Sequence, residues 1–227
     1  MVERVLRALH APIRGLHEAA YLLAAFAFLS QVLALLRDRA FTHSFGAGPI
    51  LDVYFASFRV PDLIFATVAS LVSAYVLIPF LAERQLVSKE SVTAFLSEIA
   101  SFFAIVGGAV AILAFVAMPA LLPLVVPGIA SSPFQSELLW LSRLLLVQPI
   151  LLGLSGILGA VTQLSHRFVL YSLSPLLYNA GIIIGVFFFY PIWGIQGLGV
   201  GVVLGALLHV LIQIPVLFAE GYSVRWK

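Results

Sequence analysis

The stretch RDRAFTHSFGAGPILDVYFASFRVPD, residues Arg37–Asp62, carries six acidic or basic side chains between two long apolar runs. The run AYLLAAFAFLSQVLALL occupies residues 20–36 before it, and LIFATVASLVSAYVLIPFLA occupies residues 63–82 after it. Apolar runs of about 18 residues or more are typical of membrane-spanning helices. This stretch therefore predicts two membrane helices that meet at a charged region.

The composition extends this interpretation to the whole chain. Of the 227 residues, 62% are hydrophobic and 10% are charged, whereas soluble proteins carry about 25% charged residues. A single water-soluble core is excluded, and lipid is the expected solvent for most of the surface. The formal charge of +2 is too small to indicate a nucleic-acid-binding surface. The absence of cysteine excludes disulfides and cysteine-ligated metals.

Six apolar segments predict an all-α, polytopic membrane protein. Backbone groups in lipid need hydrogen-bond partners within the structure, and the absence of period-2 alternation favours helices over a barrel. Residues 1–17 predict a cytoplasmic interfacial helix, and residues 220–227 are expected to form a cytoplasmic tail. The predicted six-helix bundle covers residues 18–219, with helices at about 18–45, 49–82, 93–118, 136–163, 168–190 and 195–219.

The basic residues predict the orientation of these helices, because cytoplasmic loops of membrane proteins are enriched in lysine and arginine. A cytoplasmic N-terminus places Arg84, Lys89 and Arg167 on the cytoplasmic side, together with both chain termini. The connections after the third and fifth helices then contain no lysine or arginine. The first external connection is the exception, since it holds Arg37 and Arg39.

The second predicted helix is too long for one straight span. About 32 residues would extend about 48 Å, against a hydrocarbon core of about 30 Å. Pro61 is expected to kink it, because proline cannot donate a helical hydrogen bond. The sequence FGAG, which contains Gly46 and Gly48, predicts a sharp turn between the first two helices.

Glycines at regular spacing predict close helix packing. Gly197, Gly201 and Gly205 recur every four residues in the sixth helix, and Gly181 and Gly185 do so in the fifth. Small residues on one stripe let two membrane helices approach closely. Packing is therefore the interpretation that we favour over a hinge.

Other polar residues within the spans are interpreted as structural. His209 lies deep in the sixth helix. An interhelical hydrogen bond is favoured over metal ligation, and Gln213, one turn away, is the candidate partner. Arg143 and Glu137 could pair or reach the outer interface. No nucleophile, base and orienting group occur at a recognisable spacing, so an intramembrane enzyme has little support.

The charged stretch itself predicts a polar cavity. An ordinary exposed loop accounts for Asp38 and Arg39. Asp52 and Arg59 are seven residues apart and would share one face of a continuous helix, with Asp62 one turn further along. Charges that face lipid are costly, so this face is expected to line a cavity between the first two helices. The planar guanidinium of arginine suits phosphate or carboxylate.

The same region resembles the N-terminal signature of the MurJ (MviN) family of lipid II flippases. The similarity begins at SQVLALLRDRAFTHSFGAGPILDVYFASFRVPDLIF and continues to IPFLAE, residues 78–83. Later stretches are also similar, including VPGIA, SPLLYN and GVVLGALLHVLIQIP. The matching positions in the first block are Arg37, Asp38, Phe45, Gly46, Ala47, Gly48, Asp52, Phe58, Arg59, Pro61, Pro79 and Glu83.

This resemblance implies a transporter of the multidrug/oligosaccharidyl-lipid/polysaccharide (MOP) superfamily in the bacterial inner membrane. The six helices would form its N-terminal lobe and move lipid II, an undecaprenyl-pyrophosphate-linked peptidoglycan precursor, by alternating access. Membrane lipids and either a second lobe of six to eight helices or another copy of this chain would be the partners, with no nucleic acid and no cofactor. Arg37, Asp52 and Arg59 would bind substrate, and the supporting or hinge residues would be Gly46, Gly48, Pro61 and Asp62.

Two departures leave other functions open. Phe65 stands where many family members carry an arginine, and six helices make only one lobe. The alternatives are a relative that exports another polyprenyl-linked oligosaccharide and a non-transporting or degenerate membrane scaffold. Alternating access requires a second lobe against which the first can move.

Overall fold

The computed structural model describes residue 13, residues 15–69 and residues 74–225, and every regular element in this part of the chain is helical. The predicted all-α fold is therefore confirmed. The interfacial helix predicted for residues 1–17 lies almost entirely outside the described residues. The helices are α1 Leu16–Phe45, α2 Pro49–Ser57, α3 Arg59–Ala69, α4 Ala74–Val87, α5 Lys89–Val125, α6 Pro127–Ala130, α7 Gln135–Leu145, α8 Val147–Leu164, α9 Phe168–Ile184, α10 Tyr190–Trp193, α11 Ile195–Leu211 and α12 Ile214–Glu220.

Within the described ranges, five helical stretches are long and apolar enough to cross a membrane. Many of their large apolar side chains, such as Phe28, Phe102 and Leu113, are exposed, as expected of a lipid-facing surface. The chain is thus a multi-pass helical membrane protein. The five stretches are His17–Phe45, Lys89–Val125, Gln135–Leu164, Phe168–Trp193 and Ile195–Glu220.

The predicted second span is divided into α2, α3 and α4. The first break lies at Phe58, three residues before Pro61, because proline has no N–H to offer the carbonyl four residues earlier, that of Ser57. The helix resumes as the Asp62 amide donates to the Phe58 carbonyl at 2.7 Å. Residues 70–73, between α3 and α4, lie outside the described part of the chain.

Only one of the two FGAG glycines has a backbone that requires glycine. Gly46 ends α1 with φ of 63°, and its amide donates to the Thr42 carbonyl at 3.0 Å. Gly48 has φ of −179°, an extended conformation that any residue can adopt. The sharp turn between α1 and α2 is therefore made at Gly46.

The helices α9 and α11 contact each other backbone to backbone, as the glycine stripes predict. Gly181 contacts Gly205, and Gly185 contacts Gly201. At each of these four positions, an added Cβ would overlap backbone atoms of the opposite helix. A Cβ at Gly205 would also meet the carbonyl oxygen of Tyr178. The packing interpretation of these glycines is confirmed.

A buried polar cluster links α8 to α11. The Ser155 Oγ lies 2.6 Å from His209 Nδ1 and donates to the His209 carbonyl at 3.1 Å. Gln213 Nε2 donates to the Ser155 Oγ and to the His209 carbonyl, the latter at 3.1 Å. The predicted interhelical hydrogen bond of His209 is confirmed, with Ser155 as its partner across the interface.

The C-terminal end of α12 is bonded to the first residue of α5 and to the connection between α8 and α9. Arg167 pairs with Glu220 at 2.9 Å, and Lys89 Nζ donates to the Glu220 carbonyl at 3.1 Å. Tyr222 is buried among the side chains of α4, α5 and α8, and the Arg225 amide donates to the Ser97 Oγ at 3.0 Å. The described residues after α12 therefore pack against the bundle.

Candidate functional site

Arg37 lies on α1 at the point where this helix contacts α9. Arg37 Nη1 donates to Asn179 Oδ1 at 2.8 Å, and Nε donates to Asp38 Oδ1 at 2.9 Å. Asn179 is itself fixed, because its Nδ2 donates to the Pro175 carbonyl at 3.0 Å. The guanidinium is thus held by an amide from one helix and by a carboxylate from its own helix.

Both Asp38 and Arg39 lie within α1, which continues to Phe45. The interpretation of these two residues as ordinary loop charges is therefore wrong. Asp38 is the ion-pair partner of Arg37, with Oδ1 2.8 Å from Nη2. The apolar packing of Phe41 and Phe45 against their neighbours extends the helix past the charges.

Two tyrosines lie within electrostatic range of Arg37. Tyr54 is buried and packs against Phe41, with 4.8 Å between ring centroids. Tyr178, next to Asn179 on α9, lies within electrostatic range of both Arg37 and Asp62. Arg37 and Asp62 therefore share Tyr178 as an electrostatic neighbour.

The first residues of α3 form the second part of the site. Arg59 and Asp62 interact electrostatically, and both side chains are exposed. They line a cavity of about 530 Å³ together with Leu63, Val125 and Val126. Arg59 forms no hydrogen bond or ion pair with any described residue, so its N–H donors are available to a ligand.

Asp52 stands apart from this arrangement. Its side chain is exposed on α2 and makes no hydrogen bond or ion pair within the described ranges. Asp52 and Arg59 would share a face only on a continuous helix, whereas the helix is interrupted at Phe58. Arg59 and Asp62 thus line one cavity, Arg37 lies at the contact between α1 and α9, and Asp52 has no side-chain partner among the described residues.

Tyr178 and Asn179 are the site residues that sequence reasoning missed. Both occur in the SPLLYN stretch, and an amide inside an apolar span is the signal that could have identified Asn179. Among the described residues, no three histidine or acidic side chains form a group that could hold a metal ion. We name the set of residues Arg37, Arg59, Asp62, Tyr178 and Asn179 the cationic wall.

Comparisons with known proteins agree with the fold and the sequence pattern. A family profile described as "Lipid II flippase MurJ" matches residues 41–227. A probable lipid II flippase MurJ from Haemophilus influenzae is 30% identical over 210 residues, which cover 88% of this chain and 41% of that protein. A Vibrio cholerae protein of the same description is 26% identical in an alignment of 232 positions that covers 94% of this chain and 43% of that protein.

A solved structure shows the same fold. The structure described as "Lipid II flippase MurJ, inward closed conformation" superposes with a TM-score of 0.73 at 24% identity. The match covers 90% of this chain and 43% of the solved chain. The present chain therefore spans less than half the length of the proteins that it matches.

Proposed function

Because this chain belongs to the lipid II flippase MurJ family, whose profile matches residues 41–227, we propose that it is the N-terminal lobe of a lipid II transporter. The observation that carries this proposal is the cationic wall, where Arg59 is exposed and Arg37 retains unused donors on a membrane-embedded surface. Arginine binds phosphate with two parallel hydrogen bonds. The pyrophosphate of an undecaprenyl-linked glycan suits this surface.

The exposure of Arg59 and Asp62 supports a cavity between two lobes. Both side chains would be costly on a lipid-facing surface, and the bundle does not cover them. A second lobe, or another copy of this chain, would enclose a polar space over the cationic wall. Alternating access then moves the bound headgroup across the inner membrane without chemical change, so no catalytic residue is required.

Most of the predicted site residues have a role in this proposal, whereas Gly48, whose extended backbone any residue can adopt, has none. Arg37 and Arg59 bind pyrophosphate oxygens, and Asp52, which has no partner among the described residues, faces the enclosed space. Asp62 lies close enough to Arg59 for an electrostatic interaction. Gly46 and Pro61 make the turn and the break that bring α1, α2 and α3 to the wall. Both termini lie in the cytoplasm.

Complementation tests this function. The chain is expressed in cells depleted of their lipid II flippase, alone and together with the C-terminal remainder of the Haemophilus influenzae relative, and membrane insertion is verified in both cases. We expect growth only when the second lobe is present, because one lobe cannot provide alternating access. Failure in both formats, with both polypeptides inserted, contradicts the proposal and favours a non-transporting scaffold.

A further inference from the structure

A separate groove runs between α5 and the α7–α8 helix pair, on the surface of the bundle. Its volume is about 840 Å³, and its lining is almost entirely apolar. Ile112 is 67% exposed and Phe115 is 48% exposed along its α5 side. We name it the α5–α7 groove; the side chains used below are Ile112, Phe115, Trp140, Arg143, Leu144 and Val147.

Arg143 is the one charged residue in the lining of this groove. Its Nε donates to the Phe115 carbonyl at 3.0 Å, and its guanidinium lies 4.6 Å from the centroid of the Phe115 ring. That carbonyl is free because Pro119, four residues later inside α5, has no N–H to donate. Proline, carbonyl and ring together fix the guanidinium at the groove.

The terminal nitrogens of Arg143 have no anionic partner in the described part of the chain. Glu137, which the sequence suggested as a partner, forms no ion pair with it, and the unsatisfied Glu137 Oε2 is buried. A lipid-facing arginine is unfavourable unless its charge is compensated. The groove therefore presents an uncompensated cation beside an apolar channel.

The length of α5 and the neighbouring Trp140 favour a position of Arg143 at the depth of lipid headgroups. The 37 residues of α5 extend about 55 Å, so about 25 Å of the helix projects beyond a hydrocarbon core of about 30 Å. Trp140 lies one turn before Arg143 and also lines the groove, and tryptophan is enriched at the membrane interface. A phosphate on Arg143 would have its acyl chain beside Ile112 and Val147.

We propose that the α5–α7 groove is a binding site for an anionic phospholipid, with the phosphate on Arg143 and one acyl chain along the apolar lining. Charge complementarity selects the occupant, because a zwitterionic lipid would bring its own ammonium group next to the guanidinium. The bidentate donors of arginine match phosphate oxygens. This site is separate from the cationic wall and does not depend on the proposed transport function.

Native mass spectrometry of the full chain, delipidated and titrated with phosphatidylglycerol or phosphatidylcholine, tests the proposal. Arg143→Gln keeps a polar side chain but removes the charge. Arg84→Gln is the matched control, since Arg84 lies 4.5 Å from the centroid of the Phe95 ring in the same cation–π geometry away from the groove. Gly108→Leu narrows the groove without a clash, because no atom lies within 4 Å of a Cβ at Gly108.

We expect the wild-type chain to bind phosphatidylglycerol about tenfold more tightly than phosphatidylcholine, because both lipids carry the phosphate but only phosphatidylcholine brings a second cation near Arg143. Arg143→Gln should remove this preference, Arg84→Gln should keep it, and Gly108→Leu should weaken the binding of both lipids. A preference that survives Arg143→Gln, or that Arg84→Gln reduces equally, overturns the proposal. Stronger binding of undecaprenyl phosphate than of phosphatidylglycerol at this groove also overturns it.

Discussion

Replacing Arg37 with alanine is expected to reduce transport by the two-lobe assembly by one to two orders of magnitude. A hydrogen bond to a charged group contributes about 1.5–3 kcal/mol, and about 1.4 kcal/mol corresponds to a factor of ten. Arg37 has five N–H donors, of which three point toward Asn179 and Asp38. The remaining two are available to a pyrophosphate oxygen, and alanine removes all of them.

The measurement is the rate of lipid II translocation in flippase-depleted cells that express both lobes. Arg84→Ala is the control, since its guanidinium lies over Phe95 and away from the cationic wall. Asn179→Ala should have a smaller effect, because the charge of Arg37 remains while its orientation is relaxed. Translocation by Arg37→Ala at the wild-type rate would show that this arginine does not bind substrate.

Replacing Gly205 with leucine is expected to destabilise the described bundle strongly. A Cβ at Gly205 would overlap the Tyr178 carbonyl, and the neighbouring Gly181 leaves no space on α9. Overpacking of this kind lowers the free energy of unfolding by about 3 kcal/mol. For a chain of this size, that loss lowers the melting temperature by about 6–12 °C. The displaced α9 would also carry Asn179 away from Arg37.

Thermal unfolding in detergent, followed by circular dichroism, measures this effect. Gly108→Leu makes the same chemical change in an apolar helix where no atom lies within 4 Å of the added Cβ, so its melting temperature should stay within about 2 °C of wild type. If the two variants unfold at the same temperature, the close contact between α9 and α11 does not stabilise the protein.

The fold could be predicted largely from apolar length and from glycine spacing. The predicted helices at 168–190 and 195–219 correspond closely to the stretches Phe168–Trp193 and Ile195–Glu220, because continuous apolarity and turn residues determine these ends. The glycine stripes identified the α9–α11 contact, since each requires an opposing surface in lipid. The MurJ family resemblance is confirmed by the family profile, which matches residues 41–227.

The partners of the charged residues could not be predicted from spacing. The side chains of Arg37 and Asn179 form a hydrogen bond although they are 142 positions apart in the sequence. The sequence around either residue does not indicate the other as its partner. The sequence showed that Pro61 would break the second span, but the break lies at Phe58, so Asp52 and Arg59 belong to different helices. Proline also explains Arg143, whose partner is a carbonyl that Pro119 leaves free.

Equilibrium binding of lipid II to the purified chain in lipid nanodiscs tests whether the cationic wall binds substrate. We expect saturable binding by the wild-type chain and by Arg84→Gln. We also expect an affinity about a hundredfold lower for the double variant Arg37→Gln, Arg59→Gln, since two charge-assisted contacts are lost. Equal affinity of the wild-type chain and the double variant would contradict the assignment of the cationic wall as the substrate-binding surface.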